Sequence, residues 1–151
     1  MVNQIREVVL TYLDIMAREI TAFAREEDIW RTDGSVTNSA GTLALHLVGS
    51  MNHFIGATLG GTGYVRDRAS EFSLRDVPRQ VLLTNITDVR ETVEATMRSL
   101  SMSAFELPYP LANFGENKTT GDVLIILCSH AAYHSGQVNY IRRLMDGRAH
   151  G

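Results

Sequence analysis

A single cysteine, Cys128, excludes an intramolecular disulfide and a cysteine-based zinc knuckle in this 151-residue chain. Lysine is nearly missing: of 14 basic residues all but Lys118 are arginine, a bias that codon composition alone can produce. Nor is there an excess of basic charge. The formal net charge is -3, the pI is near 5.9, and no basic stripe interleaved with aromatics occurs, so a nucleic-acid partner is not expected. Long apolar runs are lacking too. The longest, residues 123–128, is far short of the ~20 residues that span a bilayer. The opening MVNQIREVVLTYLD carries charges every few residues and no apolar core of a signal peptide. The expectation is a cytoplasmic protein with no membrane partner, for which a disulfide-free chain is suited.

What is present is ordinary for a globular fold: 44% hydrophobic and 21% charged residues. A length of 151 residues suits one domain, 1–151, with a core that needs no covalent staples. Apolar residues recur at three- and four-residue spacing in four segments, and no strand-length alternation or internal repeat is found, so the fold class is all-α. The first helix is expected from Val2 into the twenties, on the recurrence of Val2, Ile5, Val9, Leu13, Met16, Ile20 and Phe23. The second begins at the N-cap candidates Asn38 or Ser39 and runs to about Leu59, where Gly60, Gly61 and Gly63 end it. Residues 61–76 show no helical period. The third helix starts at Asp76 and Pro78 and continues to about Met102, burying Val81, Leu82, Ile86, Val89, Val93, Met97 and Leu100. The fourth opens with a capping box, Thr119 to Asp122, and stops at Gly147. The connection 61–76 reaches at most ~50 Å when extended, and a helix of about 22 residues is roughly 33 Å long. It is long enough to cross the bundle, and it could roof a site.

The chemistry lies in the histidines. His130 and His134, four residues apart, project from one helix face. That stripe runs Val123, Leu127, His130, His134, Gln137, Ile141, and its apolar ends turn it toward the core. Burying an imidazole without a partner costs about 1–3 kcal/mol, and a metal ion satisfies two at once. On the second helix, His46 and His53 share a face with the small Gly49 and Ser50 between them, which leaves room beside the rings, and either is a possible third ligand. Borderline cations favour imidazole, and three nitrogen ligands leave a position open. A zincin-type site is excluded, because Ala131 stands where its glutamate would be.

Two segments carry a resemblance. The run Leu43-Ala-Leu-His-Leu-Val-Gly-Ser-Met-Asn-His-Phe and the run His130-Ala-Ala-Tyr-His-Ser-Gly-Gln-Val-Asn-Tyr-Ile-Arg-Arg-Leu resemble the DinB-like superfamily, which includes mycothiol- and bacillithiol-dependent transferases. The resemblance implies a four-helix bundle wired up-down-down-up, with a crossover between the second and third helices. It implies one divalent ion, commonly nickel or zinc, held by His46, His130 and His134, and a homodimer. His53 falls where the family pattern requires no histidine. It and Gln137 are candidates for outer-shell or substrate-facing roles.

Smaller expectations complete the reading. Gly136 allows close helix approach, Tyr133 faces a neighbouring helix, and Trp30 and Tyr109 pack at the core or its edge. Cys128 is an apolar core residue about 60° off the ligand face. No carboxylate base is evident beside the histidines. The open position suits thiol transfer or hydrolysis on a small-molecule substrate; a non-catalytic binding or stress-response module stapled by the metal is the alternative.

Overall fold

Polar side chains cap the second and last long helices of the computed structural model, which describes residues 2–149. Helix α1 is Val2–Ala22. Helix α2 begins at Ala40, where Ser39 accepts a hydrogen bond from the Thr42 amide at 3.1 Å. It is α-helical to Met51, π-helical over Asn52–Ala57, and closes with Thr58–Gly60. The left-handed Gly61, with φ of 63°, ends it at the expected glycines. Side chains brace the π turn: the Tyr109 hydroxyl donates to Phe54 O at 2.7 Å, and the Thr58 hydroxyl donates at 2.8 Å to His53 O, which also accepts the Thr58 amide.

The connection after Gly61 is not wholly irregular. It contains a short helix, α3, Arg68–Ser73, capped by Asp67, whose side chain accepts from the Ser70 amide. Six residues are too few to show a hydrophobic period. Helix α4 is Arg79–Ser99, so it starts at Pro78 as N-cap and stops short of Met102. A separate turn of helix, α5, takes up Met102–Glu106. Val81 is 44% exposed rather than buried, because the inward face of α4 is set by Leu82, Ile86, Val89, Val93 and Met97. Helix α6, Thr120–Ala149, passes through Gly147 without stopping. Its capping box is present as expected, with Asp122 N donating to Thr119 Oγ1 at 3.1 Å and Thr119 N to Asp122 Oδ2 at 3.0 Å.

Side-chain pairings give the wiring. Cys128, Ser135 and Arg142 of α6 reach Ile5, Tyr12 and Glu19 of α1, each across an offset of 123 residues, so these helices run parallel in a heptad register. Arg90 of α4 binds Asp14, and Arg79 binds the carbonyls of Thr21 and Phe23, so α4 is antiparallel to α1. A Cβ on Gly56 would lie 2.9 Å from Thr92, and one on Gly60 would meet Thr96, so α2 descends beside α4 in the same direction. Against α6 it is antiparallel, with Leu43 near Ile141 and His46 beside His130. The order is up-down-down-up, and residues 61–78 cross over between α2 and α4 with α3 in their midst.

One apolar cluster fills the centre, including Leu13, Met16, Leu47, Ile86, Val93, Leu124 and Val138. Trp30 packs into it and donates its indole N–H to Val77 O at 3.2 Å. Two isolated bridges aside, no strand occurs among the described residues. No helix there is long and apolar enough to cross a membrane.

Candidate metal centre

Helices α2 and α6 cross where their histidines are. His130 and His134 share the inward side of α6, and their Nε2 atoms are 2.9 Å apart. His46, on α2, brings its Nε2 to 3.2 Å from that of His130. One nitrogen from each ring lies within 4.8 Å of the other two. The ring planes are nearly perpendicular, at 85° for His46 and His130, 90° for His46 and His134, and 79° for His130 and His134. Nitrogens ~2.0–2.1 Å from a common ion stand ~3.4 Å apart in a tetrahedron and ~2.9 Å apart at right angles. Both Nε2 spacings, 3.2 and 2.9 Å, are compatible with nitrogens sharing one cation.

Proton accounting points the same way. His46 Nδ1 is 3.0 Å from Glu71 Oε2, and His134 Nδ1 is 2.7 Å from Gln137 Oε1. Both acceptors place the ring proton on Nδ1, which leaves Nε2 with a bare lone pair. A neutral His130 has at most one proton on its Nε2 for two close nitrogen neighbours. At least one of the two contacts then lacks a proton of its own, and a cation at the centre would satisfy all three nitrogens.

The rings are held neutral. Burial pushes the pKa of His46 down, against the pull of Glu71. Burial takes His130 down to about 4, helped by His134, His46, Arg66 and Arg68. His134 is lowered by burial despite its bond to Gln137. Neutral imidazole is the form that ligates.

Glu71 is the residue that sequence reasoning missed, and it corrects the expectation that no carboxylate stands beside the histidines. It comes from α3, in the crossover, and is 5% exposed. Arg66 clamps it, Nε to Oε1 at 2.6 Å and Nη2 to Oε2 at 2.8 Å. The same guanidinium donates to Ser50 Oγ at 3.1 Å and lies 5.4 Å from the Phe54 ring centre. The gap at Gly49 is occupied: a Cβ there would collide with the Glu71 carboxylate. The small Gly49 and Ser50 thus make room for the crossover, not for a ligand. That pair and the cap Asp67-Arg-Ala-Ser70 were the available signals.

The remaining residues divide. Gln137 sits behind His134, on the stripe where it was expected. His53 is outside the cluster; its ring packs on Phe54 at 4.8 Å, and its Nδ1 is buried without a hydrogen-bond partner. Tyr133 is 65% exposed rather than facing a helix. Gly136 does not serve close approach, since a Cβ there would meet nothing within 4 Å. Both lie on the outer side of α6, turned from the parallel seam with α1. The half-buried Cys128 thiol points at Ile5 O at 3.7 Å, and burial pushes its pKa up to about 11.

No protein-family model matches this chain, and neither a curated protein nor a solved structure shows significant similarity to it. What stands is an all-α bundle with a three-histidine cluster able to hold a metal ion.

Proposed function

We propose that the chain is a DinB-like protein in which His46, His130 and His134 hold one divalent ion, nickel or zinc, that supports thiol transfer to a small electrophile. The observation carrying this reading is the convergence of three Nε2 lone pairs, two of them fixed from behind by Glu71 and Gln137. Metal-binding histidines characteristically donate their second N–H to such acceptors, which sets ring orientation and raises ligand basicity. The up-down-down-up wiring and the position of the cluster agree with the family resemblance.

The ion, when bound, supplies positive charge that favours the deprotonated form of a thiol or water and polarises an electrophile. The chain's own residues do the positioning. Glu71 accepts the hydrogen bond of His46 Nδ1–H and fixes its tautomer. Arg66 occupies both Glu71 oxygens, so this carboxylate orients a ligand and is not a free proton acceptor. Hydrolysis, which calls on a base to take a proton from water, is therefore the weaker alternative. A thiol, with a pKa of ~8.5 against ~15.7 for water, would release its proton to solvent on meeting the ion and needs no such base.

A non-catalytic metal staple between α2 and α6 is the second reading. A closed staple takes four protein ligands, and the described residues bring no fourth His, Cys, Asp or Glu to the cluster. That favours an open site. The homodimer implied by the resemblance belongs to the same proposal. Tyr133, Tyr140 and Leu144, exposed on α6, are the apolar surface it would cover.

Elemental analysis of untagged protein purified without chelators tests the metal, with one nickel or zinc per chain expected. A panel of low-molecular-weight thiols with electrophiles then tests transfer. Silence across the panel with metal bound would leave the staple ahead.

A further inference from the structure

We infer that the open side of the histidine cluster takes an anionic small molecule, and that Arg68 is the residue that selects it. The inference rests on the proposed metal site and extends it to the class of ligand.

Helix α3 sets three groups in a row. The Arg68 guanidinium carbon lies 5.2 Å from the centre of the Phe72 ring. The Phe72 ring in turn packs on the His46 imidazole, with centroids 5.0 Å apart and planes at 44°. Stacking on an aromatic face holds a guanidinium in place while leaving its donors free for a planar anion.

Without an ion the charges of the crossover cancel, Arg66 and Arg68 against Asp67 and Glu71. The three imidazoles are neutral. Glu71 is matched by Arg66 on both oxygens. Asp67 accepts from the Ser70 amide and hydroxyl and keeps its negative charge next to Arg68. Arg68 makes no ion pair among the described residues. A divalent ion held by neutral imidazoles would add two positive charges, and among the described residues no carboxylate joins the cluster to offset them. A ligand that brings its own negative charge restores balance. A metal-seeking atom on the ion with a carboxylate a few bonds away on Arg68 would use both anchors. Arg68 is then a specificity residue and not a metal ligand.

Two probes of nearly equal size isolate this charge: mercaptopropionate and mercaptopropanol, each titrated into cobalt-loaded protein and followed by thiolate-to-cobalt absorption. A charge-assisted hydrogen bond predicts roughly tenfold preference for the carboxylate probe. In Arg68→Gln the preference should fall to parity, while cobalt stoichiometry and affinity for mercaptopropanol stay as in the wild type. Cobalt bound at one equivalent with no preference, or a preference that survives Arg68→Gln, overturns the inference and leaves the metal site standing. Failure of the wild-type chain to take up cobalt overturns the metal site itself and the inference with it.

Discussion

Glu71 Oε2 lies 3.0 Å from His46 Nδ1, so a residue of the crossover holds a histidine of α2 by the nitrogen that faces away from the cluster. The contact ties the fold's least regular connection to its chemistry. It also gives the connection a reason to be ordered: Glu71 is buried, and burying its charge requires both Arg66 and an imidazole N–H.

Changing Glu71→Gln should keep the fold but weaken zinc binding by about 10- to 100-fold, the usual effect of losing an outer-shell carboxylate. Competition with a chromophoric chelator measures this. Unchanged affinity would show that Glu71 serves the crossover alone.

Gly49→Ala should act on the same contact from the opposite side. The new methyl group would displace the Glu71 carboxylate from its notch. Overpacking of this kind costs about 1–3 kcal/mol. Urea unfolding of metal-free protein should show that loss, and zinc affinity should fall in parallel. A neutral substitution would mean that the crossover moves freely.

His130→Ala should abolish stoichiometric metal, because His130 Nε2 is the nitrogen both neighbours approach. His53→Ala should keep it, since His53 is not part of the cluster. The reverse pattern in elemental analysis would reassign the third ligand.

The pH dependence follows from the depressed imidazoles. A free imidazole titrates near 6.5, and burial lowers all three, His130 to about 4. Metal affinity should therefore hold as pH falls to about 6 and be lost on the way toward 4. The metal-free protein obeys the same sign. Its unfolded histidines bind protons first, so the stability of the neutral cluster is complete above about 6.5 and declines below it. Zinc release that begins above pH 7 would contradict this.

Much of this was legible in the chain, and the rest was hidden for physical reasons. The long helices announce themselves because each buries one periodic face, and the His130, His134 and Gln137 stripe follows from helical geometry alone. The partner on α2 was narrowed to His46 only by resemblance, since His53 shares its face. Glu71 could not be found by period. It reaches the cluster across a tertiary contact, from a helix of six residues, and its burial depends on an absent side chain at Gly49. Val81 and Tyr133 were misplaced for another reason: an apolar residue at the margin of a helix stripe is buried only if a neighbour covers it, and the spacing does not say which margins are covered.

X-ray absorption at the metal edge of the zinc- or nickel-loaded protein tests the central claim most directly. Three imidazole nitrogens at ~2.0–2.1 Å, with the multiple scattering of histidine rings, are expected, falling to two or fewer, or to no bound metal, in His130→Ala. A first shell with no more than one imidazole, or a spectrum identical in the wild type and His130→Ala, would show that the cluster does not share a cation.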